Sequence, residues 1–291
     1  MDPNVIEEMQ SESMPTPDLS GSQSVDRALR LLALVGRESA SGLPLSEIVG
    51  ESGLNKPTVR RLLLALMRAG LVEQDARTRR YHLGEETFVL GLLCGQRHGL
   101  LDLAMPSLRA LSDTTQDTSF FSIRRDRFAI CLHREEGTWP VRTHALQAGD
   151  QHPLGVGAGS LAMLALMPDA ESTAMIEANR AVLAARYPAY SPAQLITDIA
   201  LARQQGFALN PGRIVTNSWG IGVGVRYPDG RVAGALSIAA IDSRMQPQRQ
   251  DELGALLRHE ARQVETRIVD MLGRRQAKPA TAEIRIVETT P

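Results

Sequence analysis

The sequence predicts an α+β protein in two parts, and three observations carry that prediction. Between about residues 22 and 84, apolar positions recur at helical spacing in three segments and then give way to two short runs around a tight turn. In the second half, short β-type runs cluster as hairpins with amphipathic helices outside them, the pattern of helices on an antiparallel sheet. With 291 residues, 43% of them hydrophobic, the chain can bury one core in each part.

Residues 1–21 (MDPNVIEEMQSESMPTPDLSG) hold five acids and no Lys or Arg, lack apolar periodicity, and are expected to form a disordered arm. The first helix follows over about Val25–Arg37, where Val25, Ala28, Leu29, Leu32 and Val35 share a face. Gly42 and Pro44 interrupt the chain, a short helix covers Leu45–Glu51, and Gly53 supplies a turn. A third helix runs over Lys56–Ala69, with Asn55 as its cap, Pro57 in its first turn and Gly70 at its end. Strands Leu71–Gln74 and Arg79–Leu83 flank the turn sequence DART. Helix, helix, turn, helix, hairpin is the order of a winged helix-turn-helix.

A helical stretch from Glu85 to about Thr115 is interrupted near Gly99. Strands are expected at Thr118–Ile123, Phe128–Arg134 and Val141–Leu146, then helices at Ala158–Met167, Ala170–Ala184 and Pro192–Gln205. Strands Ile221–Tyr227 and Val232–Ile241 precede a closing helix over Pro247–Arg274, after which the chain reads as a loose tail.

The formal net charge of −1 excludes a protein that coats nucleic acid with its whole surface, so any basic patch must be local. Residues 22–85 hold ten basic against seven acidic side chains, a local excess of +3. On the third helix Val59, Leu62, Leu63 and Leu66 form the buried stripe, which leaves Lys56, Thr58, Arg60 and Arg61 on the other side. A recognition helix has this layout, because its apolar stripe seats it while its N-terminal half offers donors to base edges and phosphates. Arg77, Arg79 and Arg80 around the hairpin turn are placed to reach phosphates or a minor groove. The competing reading is a set of ordinary solvated charges. Leu64 fits neither face and is expected to pack against the hairpin or Tyr81.

Other chemistries find little support. Cys94 and Cys131 form no CxxC pair and no zinc spacing, so no disulfide, metal or cofactor is expected and a reducing cytoplasm is the natural home. No apolar run approaches a membrane span, and the acidic start is unlike a secretory signal. There is no GxSxG elbow and no HExxH, and the six histidines lie in unrelated contexts, so no enzyme is expected. His133 and His144 fall on expected strands from which they could face a cavity. The glycines of GVGAGS, Gly155–Ser160, open a helix and suit a carboxylate better than a nucleotide, since the Gly-Lys-Ser/Thr ending is absent; alternatively they let the helix pack closely on a sheet. Phe120, Phe121, Phe128, Trp139 and Trp219 read as core, with some of them available to stack on a ligand, and Arg124, Arg125 and Arg127 read as a solvated turn.

The segments SVDRALRLLALV, LPLSEIVGESGLNKPTVRRLLLALMRAGLV and RRYHLG resemble the DNA-binding half of the IclR-type bacterial transcription regulators. HPLGVGAGSLAMLAL, QQGFALN and DGRVAGALSIAAIDSR resemble the ligand-binding half, so the likeness runs from about Ser22 to Arg274. The resemblance implies a winged helix-turn-helix over residues 22–84, a linker helix over 85–99, a GAF-like effector domain with an antiparallel sheet over 100–275, and a flexible tail over 276–291. It further implies an effector cavity lined by Val156, Gly157 and Ala158, with Asn210, Gly220, Ser237, Ile238 and Ala239 facing them from strands. Asn210 stands where some relatives carry an acid and Gly220 where some carry Cys, changes expected to remove a charge and enlarge the cavity. The function so implied is a dimeric or tetrameric, sequence-specific regulator of double-stranded DNA. It would sense a small organic acid, aromatic acids included, and control a catabolic operon as repressor or activator. The alternative is a small-molecule sensor or scaffold module that binds DNA weakly and without sequence preference.

Overall fold

The computed structural model describes residues 22–36, 41–141 and 146–276, and the chain divides into two units, Met1–Leu93 and Cys94–Pro291. The arm over residues 1–21, the tail over 277–291 and His144 lie outside the described residues.

In the first unit helices α1 (Gln23–Val35), α2 (Leu45–Ser52) and α3 (Lys56–Arg68) precede strands β1 (Val72–Gln74) and β2 (Tyr81–Leu83). The α3 stripe of Val59, Leu62, Leu63 and Leu66 is buried against Leu31 and Val35 of α1 and Ile48 of α2. Asn55 caps α3 as its sequence position predicts: its Oδ1 accepts the Thr58 N–H at 2.9 Å. Gly53 ends α2 at φ 66°, a conformation that suits glycine and turns the chain sharply into α3. The hairpin pairs Val72 with Leu83 and Gln74 with Tyr81, and Leu43 bridges to Tyr81 from the other side. Leu64 does not pack as expected; it is 53% exposed.

Helix α4 (Glu85–His98) crosses the boundary between the units. The second unit continues with α5 (Leu100–Thr115), β3 (Thr118–Arg125), β4 (Phe128–Glu135), β5 (Gln151–Pro153), α6 (Ala158–Leu166), α7 (Asp169–Arg186) and α8 (Pro192–Gln205). Strands β6 (Ala208–Pro211), β7 (Ser218–Arg226) and β8 (Val232–Ile241) and the long helix α9 (Pro247–Gln276) complete it. The six strands form one antiparallel sheet in the order β5-β4-β3-β8-β7-β6. Helices α5 and α9 cover one face through a core that includes Phe121, Leu236 and Ile238. The other face, with Ala129, Ala208 and Ala235, packs on α6, α7 and α8.

Two expectations need correction. The described part of Val141–Leu146 is not a strand, residues 142–145 lie outside the described set, and the sheet's edge is instead the short β5. Of the three arginines expected to be solvated, Arg125 and Arg127 are exposed, but Arg124 is half-buried and pairs with Glu171 of α7, and Arg127 also donates to the Ala178 carbonyl at 2.8 Å.

Candidate functional site

The face predicted to meet DNA is built by local means. On α3, Lys56, Arg60 and Arg61 are exposed and Thr58 is half-buried beside the Asn55 cap. In the hairpin turn the Asp75 carboxylate accepts the Arg77 N–H at 3.1 Å, the Thr78 N–H, and the Thr78 hydroxyl at 2.7 Å. These bonds hold the Asp75 carboxyl below the usual range, the Thr78 N–H contributing most. Arg79 adopts a left-handed φ of 58°, which fixes the tip. Arg77 and Arg79 are exposed, and Arg80 is not free: its Nε donates to the carbonyls of Ser41 at 2.8 Å and Gly42 at 3.1 Å. Among the described residues the side chains of Lys56, Arg60, Arg61, Arg77 and Arg79 make no hydrogen bond or ion pair, although the Arg77 charge also acts on the Asp75 carboxylate.

In the second unit a cavity of about 50 Å³ opens between the start of α6 and the sheet. All eight residues assigned to it by resemblance line it: Val156, Gly157, Ala158, Asn210, Gly220, Ser237, Ile238 and Ala239. Strand alternation separates their roles. Ser237 stands opposite Phe120 and Gly222 on the α6 side, whereas the Ile238 side chain belongs to the core on the far face. Gly157 takes φ 85°, so the chain turns abruptly into α6. The first-turn N–H groups of Ala158, Gly159 and Ser160 precede the first intrahelical bond, from Leu161 to the Gly157 carbonyl at 2.9 Å, and face the cavity end of the helix.

Gly220 lines the cavity and also lets α6 come close to the sheet. A Cβ there would stand 3.2 Å from the Ala158 Cβ, and one on Gly222 would come within 2.8 Å of the Ala158 backbone, so the missing side chains admit α6 itself. Asn210, 7% exposed, accepts the Tyr190 hydroxyl on Oδ1 at 2.6 Å, and its Nδ2 has no partner among the described residues. Ser237, also 7% exposed, likewise has a hydroxyl without a partner there.

The remaining wall was not legible beforehand. Phe120 and Trp219 do line the cavity, as some aromatics were expected to, but Ser122, Cys131, Asp150 and His152 join them with no motif to announce them. They meet because Cys131 stands opposite Ser122, and His152 opposite Ala129, on adjacent strands. His133 instead stands opposite Phe121 and bonds Glu135 at 3.0 Å, so it does not face the cavity. Burial and the negative charge of Asp150 push the Cys131 thiol up to about 12, which leaves it uncharged and a poor nucleophile. Burial also holds the His152 imidazole below its ordinary value, and its Nδ1 lies 3.1 Å from the Tyr187 hydroxyl.

Among the described residues no group of three His, Cys, Asp or Glu side chains could hold a metal ion, and no helix is long and apolar enough to cross a membrane. Compared with known families, residues 24–76 match the IclR helix-turn-helix domain, and residues 94–266 match the bacterial transcriptional regulator IclR C-terminal domain. The HTH-type transcriptional regulator BhcR of Paracoccus denitrificans is 29% identical over 193 residues, 66% of this chain and 68% of that protein. The acetate operon repressor of Salmonella typhimurium is 25% identical over 244 residues, 83% of this chain and 88% of that protein. A putative IclR transcriptional regulator from Silicibacter sp. TM1040, solved by crystallography, superposes with a TM-score of 0.74 at 29% identity. That match covers 84% of this chain and 96% of the other.

Proposed function

The chain belongs to the IclR family of bacterial transcriptional regulators, and from that premise we propose that it acts as a homodimer which reads a palindromic operator and answers to a small carboxylate. Its family consists of regulators rather than enzymes, with a helix-turn-helix DNA-binding domain and an effector-binding domain.

On the DNA side, Lys56, Thr58, Arg60 and Arg61 would enter a major groove, and Arg77 and Arg79 would meet the flanking backbone. Arg80 would act by tying the hairpin to the loop before α2. The observation that carries this reading is the row of exposed cations Lys56, Arg60 and Arg61, in no hydrogen bond or ion pair among the described residues, displayed by a helix whose other side is buried. A second copy is favoured by α4, which exposes Phe88, Leu90, Leu92 and Leu93. Half-sites should then lie about one helical turn apart.

On the effector side, the α6 first turn, Asn210 Nδ2 and Ser237 Oγ converge as donors, and helix starts attract anions. A water-sized group occupies about 10–15 Å³ of such space, so the cavity holds a compact acid like acetate or glycolate. A benzene-sized cavity is about 150 Å³, which disfavours an aromatic acid. The relative from Salmonella typhimurium is named for an acetate operon, which agrees with control of genes for small-acid catabolism, in the cytoplasm. The effector can change DNA affinity only as far as it prefers one dimer geometry; α4, which joins the two domains, is the route for that preference.

The test begins by selecting binding sites from a random duplex pool and titrating the best one at several salt concentrations, with and without acetate or glycolate. A regulator prefers its site over unrelated DNA by about 10³-fold or more and shifts its affinity with the acid. Equal affinity for all sequences would sink the DNA reading, and unchanged affinity with every small acid would sink the effector reading.

A further inference from the structure

We propose that Tyr190 sets the polarity of the effector cavity: its hydroxyl locks the Asn210 amide with the oxygen turned away and the nitrogen turned inward, so the site donates to an acid and rejects the neutral amide of that acid. This role rests on reading the cavity as an acid site.

Tyr190 follows α7, is 2% exposed, and does not itself line the cavity. A phenol has one proton to give. It goes to Asn210 Oδ1, 2.6 Å away, and the Gly157 backbone adds to the field at the phenol oxygen. Once Oδ1 is engaged, Nδ2 is the group left for the cavity. Burial pushes the Tyr190 hydroxyl well above the ordinary tyrosine range, which keeps it a donor.

The ring is itself held. Tyr187 packs edge-on with centroids 6.4 Å apart, and the Arg213 guanidinium lies 5.7 Å from the ring centroid. Arg213 in turn makes two bonds to Asp198 of α8, an acid that also accepts from Gln194 at 2.9 Å. The next residue, Ile214, reaches the cavity beside Gly157. A chain of contacts thus runs from Asp198 through Arg213 and Tyr190 to Asn210. Without it the amide can turn over, exchanging donor for acceptor, and the cavity loses its choice of sign.

Calorimetry with acetate, glycolate, acetamide and glycolamide on the full-length protein tests the role. Wild type should prefer each acid to its amide by about tenfold or more, the scale of one hydrogen bond to a charged group. Tyr190→Phe keeps the ring, should unfold near the wild-type temperature, and should cut that preference to about threefold or less. A merely structural role for the hydroxyl would weaken acid and amide together and leave their ratio unchanged. In Asn210→Asp one oxygen can still accept from Tyr190 while the other faces the cavity, so the preference should reverse toward the amides. An unchanged ratio in Tyr190→Phe, or a retained acid preference in Asn210→Asp, overturns the role of Tyr190 and leaves the acid site standing. A wild type that takes up none of the four compounds overturns the acid site and this role together.

Discussion

The two units differ in how many of their arginines they tie into the fold. In the first, Lys56, Arg60, Arg61, Arg77 and Arg79 stand exposed, their side chains in no hydrogen bond or ion pair among the described residues. In the second, Arg109, Arg125 and Arg186 are likewise exposed, but other arginines are committed to the fold: the nearly buried Asp117 takes both Arg244 at 2.9 Å and Arg249 at 2.8 Å, and Arg244 lies 3.7 Å over the Trp139 ring. Asp198 and Arg213 repeat the arrangement beside the cavity. The difference follows from solvation. A charge withdrawn from water must be paired within the protein, whereas one left in water keeps its hydration until an external anion replaces it. Unpaired cations on a rigid, exposed helix are therefore the ones available to a partner.

The sharpest way to break this contrast is Arg60→Ala with Arg61→Ala. Operator binding should fall by at least about 30-fold, because two arginines that each bind a base or phosphate at about 1–3 kcal/mol are removed. The slope of log affinity against log salt should shrink by about 0.9 for each phosphate left without its cation. Fluorescence anisotropy across salt concentrations reads both, and wild-type values would assign those cations to solvent.

Next in size, Gly222→Ala pushes a Cβ to within 2.8 Å of the Ala158 and Gly159 backbone, an overpacking that should destabilise the second unit by about 1–3 kcal/mol. Chemical denaturation should show it as a lower midpoint for that unit while DNA-free spectra of the first remain native. An unaltered midpoint would mean that α6 does not rest on β7 so closely.

Asn55→Ala removes the α3 cap and should cost the first unit about 1 kcal/mol, visible in the same experiment. A neutral result would show that packing alone fixes the start of the helix.

The smallest effect concerns pH. His152 titrates below its ordinary value of 6.5 because burial disfavours its charged form, so the unfolded chain takes up the proton first. Stability from keeping it neutral is complete above pH 6.5 and is lost as pH falls from there through the folded-state value. His152→Gln should flatten that part of the second unit's stability profile, measured by denaturation from about pH 7.5 down to about pH 5. An identical slope would exclude His152 as its source.

Legibility followed how local each feature is rather than which unit holds it. Val59, Leu62, Leu63 and Leu66 are buried as their spacing requires, Asn55 caps where a cap was expected, and α8 spans the anticipated Pro192–Gln205. Leu64 was misjudged because its exposure depends on what lies outside the helix rather than on position along it. In the cavity, the helix start at Gly157 was readable as a glycine-led turn. Cys131 and His133, two residues apart on one strand, were not separable, because the register shift between Phe121 and Ser122 turns them to different sides.

The amino-acid order therefore determined the helices, their caps and the face that α3 shows to solvent, since periodicity and capping act within a few residues. Tertiary structure alone decided which strand residues wall the cavity, that Gly220 and Gly222 make room for a helix, and that Asn210 is held by Tyr190. Those outcomes depend on pairing between segments as far apart as β3 and β8, and a strand's side chains change faces with a shift of one residue.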